Sequence, residues 1–507
     1  MKSLSLLTTD QLAGIPWIES RTESGIWGDV GTGKTCLCLT ALLNLRRRFE
    51  IDKVLVVGPR LVAERVWAAE VNEWEHLVGQ FKVVKIIGTP AQRLAALEQD
   101  GDIYTITRDQ VKWLEKQFIE EIVTTLPNGT QKITRRQFKR APWDTLVLDE
   151  CQSFSHQDTN RFDSMRRLRK LFRRVILLTG SLIPNGRKGL WSQMYLVDQG
   201  RRLGASENAF KKRWFRKEVN DGIVSFEELP HAAEEIDKAI SDIFYVVRDP
   251  NPPAPRNIIK VGLTKAEAAL YNKMRRTSVL EIGGKEITAV NSGVLWGKLL
   301  QMANGALYTD ADHSWTLIHD QKLEALVELL ESIPGKVIIG YGFRHDLARL
   351  QERLAKTGRR VGVLRTNRSL DDWRDGKLDI GIMHPASAGH GLNDLYVSGA
   401  ENLIWFGLTP NREFFEQLNG RLAGGHRRAG RKVVIHIIVT EGTIDEEALE
   451  LIDFKGDTAV EAQKRVIRWV KEARHADDKT AETRSEPRHD EIVHSDPRAT
   501  ARDWLAV

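Results

Sequence analysis

The residues with the clearest chemical potential lie near the amino terminus, where residues 28–35 read GDVGTGKT and match the phosphate-binding pattern G-x-x-x-x-G-K-[ST]. The glycines of this pattern let the backbone curl so that its N–H groups point at a polyphosphate, and they are Gly28, Gly31 and Gly33. Lys34 can reach the outer phosphates, and the Thr35 hydroxyl can bind Mg²⁺. Helix-compatible residues follow directly, and the positive end of a helix favours phosphate. The segment therefore predicts a site for ATP and Mg²⁺.

A second group of candidate catalytic residues is the acidic pair Asp149 and Glu150, which follows the apolar run 146–148. A carboxylate at such a position can hold Mg²⁺, directly or through water, while its neighbour polarises an attacking water. We assign Asp149 to the metal and Glu150 to the water. Taken alone, the pair is also compatible with a solvated corner between a strand and a loop. Together with the phosphate loop, it predicts ATP hydrolysis.

These candidate residues need a scaffold that brings them to one edge, and the hydrophobic pattern predicts one. Short continuous apolar runs occur at 54–57, 103–106, 146–148 and 175–178, and again at 337–339, 361–364, 380–383, 403–406 and 433–439. Continuous rather than alternating hydrophobicity is typical of parallel strands that helices cover on both faces. Ligands of such sheets bind beyond the carboxyl ends of the strands. The predicted fold class is α/β, with two parallel-sheet lobes in tandem, of which the first carries the phosphate loop.

The length of the chain, 507 residues, predicts two large domains with insertions rather than one hydrophobic core. We expect an ATP-binding lobe over 1–200, helical insertions and a proline-rich linker over 201–315, and a second lobe over 316–473. The linker is the stretch 249–255, where a helix cannot continue. Residues 474–507 combine mixed charge with few apolar side chains, so we expect a disordered tail that could dock a protein partner.

The composition sets weaker bounds on partners and location. Lys and Arg outnumber Asp and Glu by 75 to 69, a net charge of +6, which suits a polyanionic partner and equally an ordinary, mildly basic surface. Cys36, Cys38 and Cys151 lack metal-ligand spacing and make a disulfide framework implausible, which indicates a reducing compartment. The sequence contains no apolar run of about 18 residues and no secretion-signal pattern. We therefore expect a soluble cytoplasmic protein, in a bacterium or an infected host, without a membrane partner.

The order of these segments resembles the superfamily 2 helicases, and within them the SWI/SNF-type DNA translocases, over residues 7–457. The resemblance implies two RecA-like lobes. Upstream of the phosphate loop, residues 10–17 are similar to the glutamine motif of the family, which implies that Gln11 reads the adenine edge of ATP. Residues 54–74 are similar to a segment that contacts one nucleic-acid strand. Within it we interpret Trp67 and Trp74, which lie seven residues apart on one helical face, as packing residues.

In the second half of the chain, residues 417–430 resemble the arginine-finger motif Q-x-x-x-R-x-x-R-x-G-Q of the same family. The resemblance implies that Arg421 and a second arginine act from the opposite lobe on the phosphoryl group being transferred, so that hydrolysis requires a closed cleft. Residues 424–426 interrupt the pattern, which leaves Arg427 and Arg428 as alternatives for the second finger. Register with the Ala-Gly pair that follows favours Arg428.

Four other segments are similar to motifs of the family: 106–109, a second strand-contacting segment; 178–185, related to L-T-G-T-P-x-x-N; 387–393, in which His390 replaces a glycine; and 442–446, the start of a capped helix. Hydroxyl groups in the second of these can bond the acidic pair. We do not interpret His390 as a metal ligand, because no Cys or carboxylate completes a tetrahedral set. Basic clusters at 132–140, 166–174 and 211–217 could line a phosphate track, although a solvated surface is the favoured interpretation.

These observations lead to the hypothesis of an ATP-dependent helicase or translocase that moves on, or remodels, duplex or branched DNA. The compact size favours a phage or bacterial role in replication, recombination or repair over chromatin remodelling. One alternative is an RNA helicase, which RNA would stimulate more than DNA. Another is a nucleotide-gated nucleic-acid-binding assembly subunit with little hydrolysis, against which the acidic pair and the arginines argue. The sequence motifs are compatible with translocation, branch remodelling and unwinding alike.

Overall fold

The structure is a computed structural model of the 507-residue chain. It describes residues 1–28, 31–125, 131–155, 160–180, 182, 186–220, 223–248, 253–282, 285–289, 292–309, 314–388, 395–428, 432–453 and 465. For residues 132, 220, 223–225, 281–282, 285–288, 292, 388 and 424–428 the description is limited to the backbone. The described residues divide into two compact units, the first built from residues within 1–217 and 226–251 and the second from residues within 218–225, 252–388 and 395–465.

The strands up to residue 251 are β1 (Glu23–Gly28), β2 (Val54–Gly58), β3 (Val83–Ile86), β4 (Ile103–Thr107), β5 (Ile119–Thr125), β6 (Gln131–Gln137), β7 (Thr145–Asp149), β8 (Arg174–Thr179), β9 (Phe215–Asn220), β10 (Ile223–Glu228) and β11 (Phe244–Val247). The helices of the same region are α1 (Thr9–Glu19), α2 (Lys34–Arg47), α3 (Trp67–Glu73), α4 (Pro90–Leu97), α5 (Val111–Glu115), α6 (Asn160–Leu168), α7 (Leu190–Asp198), α8 (Glu207–Trp214) and α9 (Ala232–Ile240). Seven of the strands form a parallel sheet in the order β11-β1-β8-β7-β2-β4-β3.

The later strands are β12 (Arg256–Val261), β13 (Val279–Ile282), β14 (Lys285–Thr288), β15 (Ala306–Tyr308), β16 (Trp315–Leu317), β17 (Val337–Gly340), β18 (Val361–Val363), β19 (Ile380–Met383), β20 (Asn402–Trp405) and β21 (Val434–Thr440). The later helices are α10 (Lys265–Thr277), α11 (Ser292–Ala303), α12 (Gln321–Ser332), α13 (Arg344–Leu354), α14 (Asn367–Arg374), α15 (Pro385–Ala388), α16 (Arg412–Arg428) and α17 (Ile444–Asp453). A second parallel sheet has six strands in the order β12-β21-β20-β17-β19-β18.

Both sheets confirm the predicted α/β class with two parallel-sheet lobes in tandem. Consecutive residues of one strand pack into different hydrophobic layers: in β7, Leu146 and Leu148 belong to one core cluster and Val147 to the other. The sheet of the first unit is therefore buried on both faces, as the continuous apolar runs predict. Strands β11 and β12, which fall in the range 201–315 expected to be helical, occupy edge positions in the two sheets. Among the described helices, none is long and apolar enough to cross a membrane.

The core of the second unit contains a buried ion pair near the carboxyl end of its sheet. The Lys322 ammonium lies 2.5 Å from Asp445 Oδ2, and neither side chain is accessible to solvent. Lys322 Nζ also donates to Asn304 Oδ1 at 2.9 Å, and Asn304 Nδ2 donates to Asp346 Oδ2 at 2.8 Å. Asp346 Oδ2 in turn accepts from the backbone N–H groups of residues 342 and 343, which follow β17. The network ties the ends of α11, α12, α13 and α17 to this loop.

Removal of one charge from that pair is expected to destabilise the protein strongly. Lys322→Met leaves the Asp445 carboxylate buried without its cation, so we expect the free energy of unfolding to fall by about 3–5 kcal/mol. Urea unfolding followed by tryptophan fluorescence measures the change. Lys356→Met is the matched control, because the Lys356–Glu352 pair is largely solvent-exposed and should change stability very little. Equal unfolding midpoints for the two variants would contradict a structural role for the buried pair.

Candidate active site

The phosphate loop joins the carboxyl end of β1 to the amino end of α2. Gly31 and Gly33 adopt φ values of +86° and +73°, in the left-handed region that glycine tolerates best. A Cβ atom at Gly33 would lie 2.5 Å from Gln11 Nε2, so a side chain at this position would clash as well. Successive N–H groups in such a turn form a concave, anion-binding surface at the helix terminus. The described backbone of the loop therefore suits a bound phosphate, and phosphate binding here stays a prediction.

Lys34 is the first residue of α2, and its side chain folds back onto the phosphate loop. Its ammonium donates to the carbonyl oxygen of Gly28 at 2.6 Å, and the side chain is largely buried. Thr35 follows in the first turn of the same helix and is half-buried. Both residues are thus placed next to the cradle to which the sequence pattern assigns them.

Both ends of the Gln11 amide are hydrogen-bonded, one to the phosphate loop and the other to the start of α1. Its Nε2 donates to the carbonyl oxygen of Thr32 at 2.5 Å, and its Oε1 accepts from the backbone N–H of Thr8 at 2.7 Å. The second bond belongs to a capping box at the start of α1, in which the Thr8 hydroxyl also accepts from the Gln11 N–H. Recognition of adenine by Gln11 stays a prediction, and the amide would have to exchange one of these bonds to provide it.

The acidic pair lies at the carboxyl end of β7, two strands away from the phosphate loop. Both Asp149 and Glu150 are 6% exposed, and Glu150 has the left-handed backbone conformation φ +53°, ψ +56°. This conformation is strained for a non-glycine residue, and strained residues of this kind occur often at functional sites. Strand β8 lies between β1 and β7, so the phosphate loop, Thr179 and the acidic pair follow three neighbouring strands.

A chain of hydrogen bonds connects Glu150 to the end of β8. Gln152 Nε2 donates to Glu150 Oε2 at 2.7 Å, and the Thr179 hydroxyl donates to Gln152 Oε1 at 2.8 Å. Within the part of the 178–185 segment that the structure describes, the Thr179 hydroxyl reaches the acidic pair through Gln152. The sequence analysis assigned no role to Gln152, although its place two residues after Glu150 is the signal that could have suggested one.

Two cysteine thiols near the acidic pair stay protonated. Burial, and then the charge of Asp149, raises the pKa of Cys38 well above its ordinary value. Burial and the charge of Glu150 raise the pKa of Cys151 in the same direction, and its thiol donates to Gln193 Oε1 at 3.2 Å. Neutral thiols add no further negative charge beside the two carboxylates.

In the second unit, a single helix, α16, carries the residues of the predicted arginine-finger motif. Gln417 is buried and donates through Nε2 to Glu413 Oε1 at 2.9 Å, while Arg421 is half-buried. At about 100° per residue, positions 421 and 428 fall within about 20° of each other around the helix axis, whereas position 427 is about 100° away from 428. The helical register therefore places positions 421 and 428 on one face of α16, and the choice of Arg428 over Arg427 stays a prediction.

The family of the chain follows from comparison with known proteins. A family model described as the SNF2-related domain matches residues 10–303, more than half of the chain. The chain belongs to the SNF2-related family. As an SNF2-related protein it is a DNA-dependent ATPase of the translocase type, that is, a nucleic-acid-dependent ATP hydrolase. The predicted enzyme class, and ATP as its nucleotide, are confirmed.

Similar proteins come from a phage and from eukaryotes. Protein p41 of Acyrthosiphon pisum secondary endosymbiont phage 1 is 34% identical over 463 residues, which cover 87% of this chain and 95% of p41. Chromatin-remodeling ATPase INO80 of Homo sapiens is 26% identical over 218 residues, 41% of this chain but 13% of INO80. The solved SWI2/SNF2 ATPase core of Sulfolobus solfataricus in complex with dsDNA aligns with a TM-score of 0.39 and 19% identity, covering 92% of this chain and 96% of that one.

Several family-like segments of the SNF2-related chain lie wholly or partly outside the described residues. They include Asp29 and Val30 of the phosphate loop, Ser181 and residues 183–185, His390 with its neighbours from 389 to 394, and residues 429–431. The side chains of Arg427 and Arg428 and the predicted tail, 474–507, are likewise not described. The roles assigned to these residues stay predictions.

The middle basic cluster of the SNF2-related chain, residues 166–174, is partly structural, because Arg169 and Arg174 are buried while Lys170 and Arg173 are exposed. Arg169 donates to the carbonyl oxygens of Leu196 and Val197 at 2.8 and 2.6 Å. Arg174 donates to the carbonyl oxygen of Ile18 at 2.8 Å. Both guanidiniums are buried, which removes them from the surface that a nucleic acid could reach.

Trp67 packs in the core as predicted, but it also contacts the acidic pair of the SNF2-related site. The side chain is fully buried, and its indole N–H donates to Asp149 Oδ2 at 2.9 Å. A π-helical turn, Val62–Val66, immediately precedes it in the chain. A tryptophan at helical spacing gives no sign of this bond, because its acceptor lies 82 residues away in sequence. The contact between Trp67 and Asp149 is thus a feature of the site that the sequence did not predict.

Trp67→Phe should weaken the response to Mg²⁺ while the core stays filled. Loss of a donor that orients a metal-binding carboxylate typically costs 10–100-fold in metal affinity, so we expect the Mg²⁺ concentration for half-maximal ATPase activity to rise about 10-fold or more. Trp74→Phe is the matched control, because Trp74 is also buried but donates to Glu70 Oε2 at 2.7 Å. An identical Mg²⁺ dependence in both variants would show that Trp67 serves only in packing.

Proposed function

We propose that this SNF2-related protein is an ATP-driven translocase that moves along, or remodels, duplex or branched DNA. The observation that carries the proposal is the meeting of the phosphate loop and the acidic pair at the ends of neighbouring strands, with Glu150 connected to Thr179 through Gln152. That connection offers a route by which the state of the nucleotide reaches the residues after β8. Translocation needs such a route, whereas simple hydrolysis does not.

The residues at the site fit a complex of ATP with Mg²⁺. The left-handed glycines form a cradle for phosphate oxygens, and Lys34 lies beside it. Thr35 and Asp149 provide hydroxyl and carboxylate oxygens, the donors that Mg²⁺ prefers, and Mg²⁺ commonly takes only one or two protein ligands alongside phosphates and water. ATP supplies the phosphoryl group, and the ion would neutralise its charge. We therefore assign Thr35 and Asp149 to the metal.

The remaining roles divide between the two units. Glu150 orients and polarises the attacking water, Gln11 senses the adenine or the conformation of the loop, and Lys34 contacts the outer phosphates. Arg421 and Arg428 of the second unit act on the developing charge of the phosphoryl group, so that hydrolysis depends on both units. Alternation between nucleotide-bound and nucleotide-free states would then drive stepwise movement.

The match over 95% of the length of p41, a phage protein, supports a phage-type setting. Within that setting we propose a role in replication, recombination or repair. The eukaryotic relative is named a chromatin-remodeling ATPase, but this chain spans only 13% of its length. We therefore extend to this chain the action on DNA and not the chromatin role.

Movement on duplex DNA is tested by displacement of a third strand from a short triplex. We expect displacement that requires ATP and a duplex track next to the triplex. A forked substrate with the same duplex, assayed in parallel, separates translocation from unwinding. DNA-stimulated hydrolysis without displacement of the third strand, and without any change in a branched substrate, would contradict the proposal.

A further inference from the structure

Strands β5 and β6 form an antiparallel two-stranded ribbon that is inserted between α5 and the catalytic strand β7. Seven residue pairs define its register, from Ile119 opposite Gln137 to Thr125 opposite Gln131. The base of the ribbon is anchored in the core by Phe118 and Trp143, whose buried rings are 5.4 Å apart. Beyond that base, the described side chains of β5 and β6 are mostly exposed. The base of the ribbon is therefore packed in the core, and the rest of its described residues are exposed to solvent.

The ribbon and the residues that follow it are positively charged. Residues 119–140 include five basic and two acidic side chains, a net charge of +3, which is half of the net +6 of the whole chain. The two acids form cross-strand ion pairs, Glu120 with Arg136 and Glu121 with Arg135, each at 2.6 Å. These pairs stabilise the register. The excess charge comes from Lys132, Lys139 and Arg140, of which the last two are exposed.

Large apolar side chains are exposed on the same ribbon. Val123 and Ile133 lie directly opposite each other and are 54% and 51% exposed, and Phe138 after β6 is 53% exposed. Apolar surface that stays in water contributes little to folding, so exposed apolar side chains on a ribbon that also carries basic residues suit a partner with both charged and apolar parts. Duplex DNA has both, in its phosphates and in the base edges and thymine methyl groups of its grooves.

We propose that the β5–β6 ribbon binds duplex DNA, with its exposed strands in the major groove and with Lys139 and Arg140 on the flanking phosphates. The major groove is about 12 Å wide and admits a two-stranded β-ribbon. Seven residues at about 3.4 Å each give a ribbon of about 24 Å, long enough to contact several consecutive base pairs along the groove. The proposal rests on the proposed action on DNA. It assigns DNA binding to a surface outside the ATP site.

Lys139→Ala/Arg140→Ala tests the phosphate contacts. Each phosphate contact contributes about −0.9 to the slope of log K against log salt, so loss of two contacts should make the slope shallower by about 1.8 and weaken duplex binding at least about 10-fold. Fluorescence anisotropy with a labelled duplex at several salt concentrations measures both quantities. Lys82→Ala/Lys85→Ala is the control, since it removes the same charge from exposed residues of the first unit. Equal slopes in the two variants would overturn the proposal.

Val123→Ser/Ile133→Ser tests the groove contact without a change in charge. We expect weaker binding to duplex DNA, with binding to a single strand of the same length nearly unaffected and an unchanged thermal unfolding midpoint. Equal losses for duplex and single strand would overturn insertion into the groove. A change in oligomeric state by light scattering, with unaltered DNA binding, would instead make the ribbon a contact between copies of the chain. If the unaltered protein shows no binding to duplex DNA, the proposed function itself fails.

Discussion

Lys34→Ala is expected to reduce ATP hydrolysis at least about 100-fold and to leave the fold nearly intact. Loss of one well-placed donor to a charge that develops in the transition state costs about 100–1,000-fold in rate. In the structure the Lys34 ammonium bonds a backbone carbonyl of its own loop at 2.6 Å. Steady-state phosphate release at saturating DNA measures the effect.

Lys53→Ala is the matched control for this variant. Lys53 precedes β2 at the amino edge of the same sheet, and its ammonium lies 2.5 Å from Asp100. None of the assigned catalytic or nucleotide-binding residues lies at that edge, so the rate of hydrolysis by the control should stay close to that of the unaltered protein. Thermal unfolding of both variants checks that the fold survives. Full activity in correctly folded Lys34→Ala protein would contradict the assignment of the phosphate loop to ATP hydrolysis.

The second large effect is expected for the arginines of α16. An arginine that stabilises the charge of a phosphoryl group in transfer contributes 10³–10⁵ in rate, so Arg421→Ala and Arg428→Ala should each lower the maximal rate by about 1,000-fold. Affinity for ATP should change far less, because the guanidiniums act on charge that develops during transfer rather than on the bound nucleotide. Single-turnover hydrolysis and equilibrium binding of a fluorescent ATP analogue separate the two quantities.

Arg427→Ala is a built-in control, because it removes the same charge from the neighbouring position. Position 427 lies about 100° around the helix from 428, so its replacement should change the rate by only a few-fold. A large loss in Arg427→Ala with near-normal Arg428→Ala would exchange the two assignments. Near-normal rates for Arg421→Ala and Arg428→Ala together would show that α16 takes no part in hydrolysis.

The sequence was sufficient to predict the features that depend on local pattern. Runs such as 146–148 and 175–178 predicted buried strands because both of their faces are apolar, and β7 and β8 are found there. The motif at 28–35 predicted a tight turn and a helix, because its glycines suit left-handed backbone and its last residues suit a helix start. Local pattern also placed Asp149 and Glu150 at a strand end.

What the sequence did not predict depends on contacts between distant residues. The bond from Trp67 to Asp149 and the bridge through Gln152 to Thr179 exist only because particular strands become neighbours. Arg169 and Arg174 look like surface charges in the sequence, yet backbone carbonyls of distant segments satisfy them in the interior. The range 201–315 was expected to be helical, and strands β11 and β12 emerge as edges of the two sheets because their partners are distant in sequence.

The most direct test of the central claim is the ATPase rate of one protein preparation measured with no polymer, single-stranded DNA, duplex DNA, forked DNA and RNA. The account predicts a low rate without polymer and the largest stimulation by duplex or forked DNA, lost in Lys34→Ala. A rate that no polymer changes would point to a nucleotide-gated binding subunit. A larger stimulation by RNA than by any DNA would contradict the proposed DNA translocase.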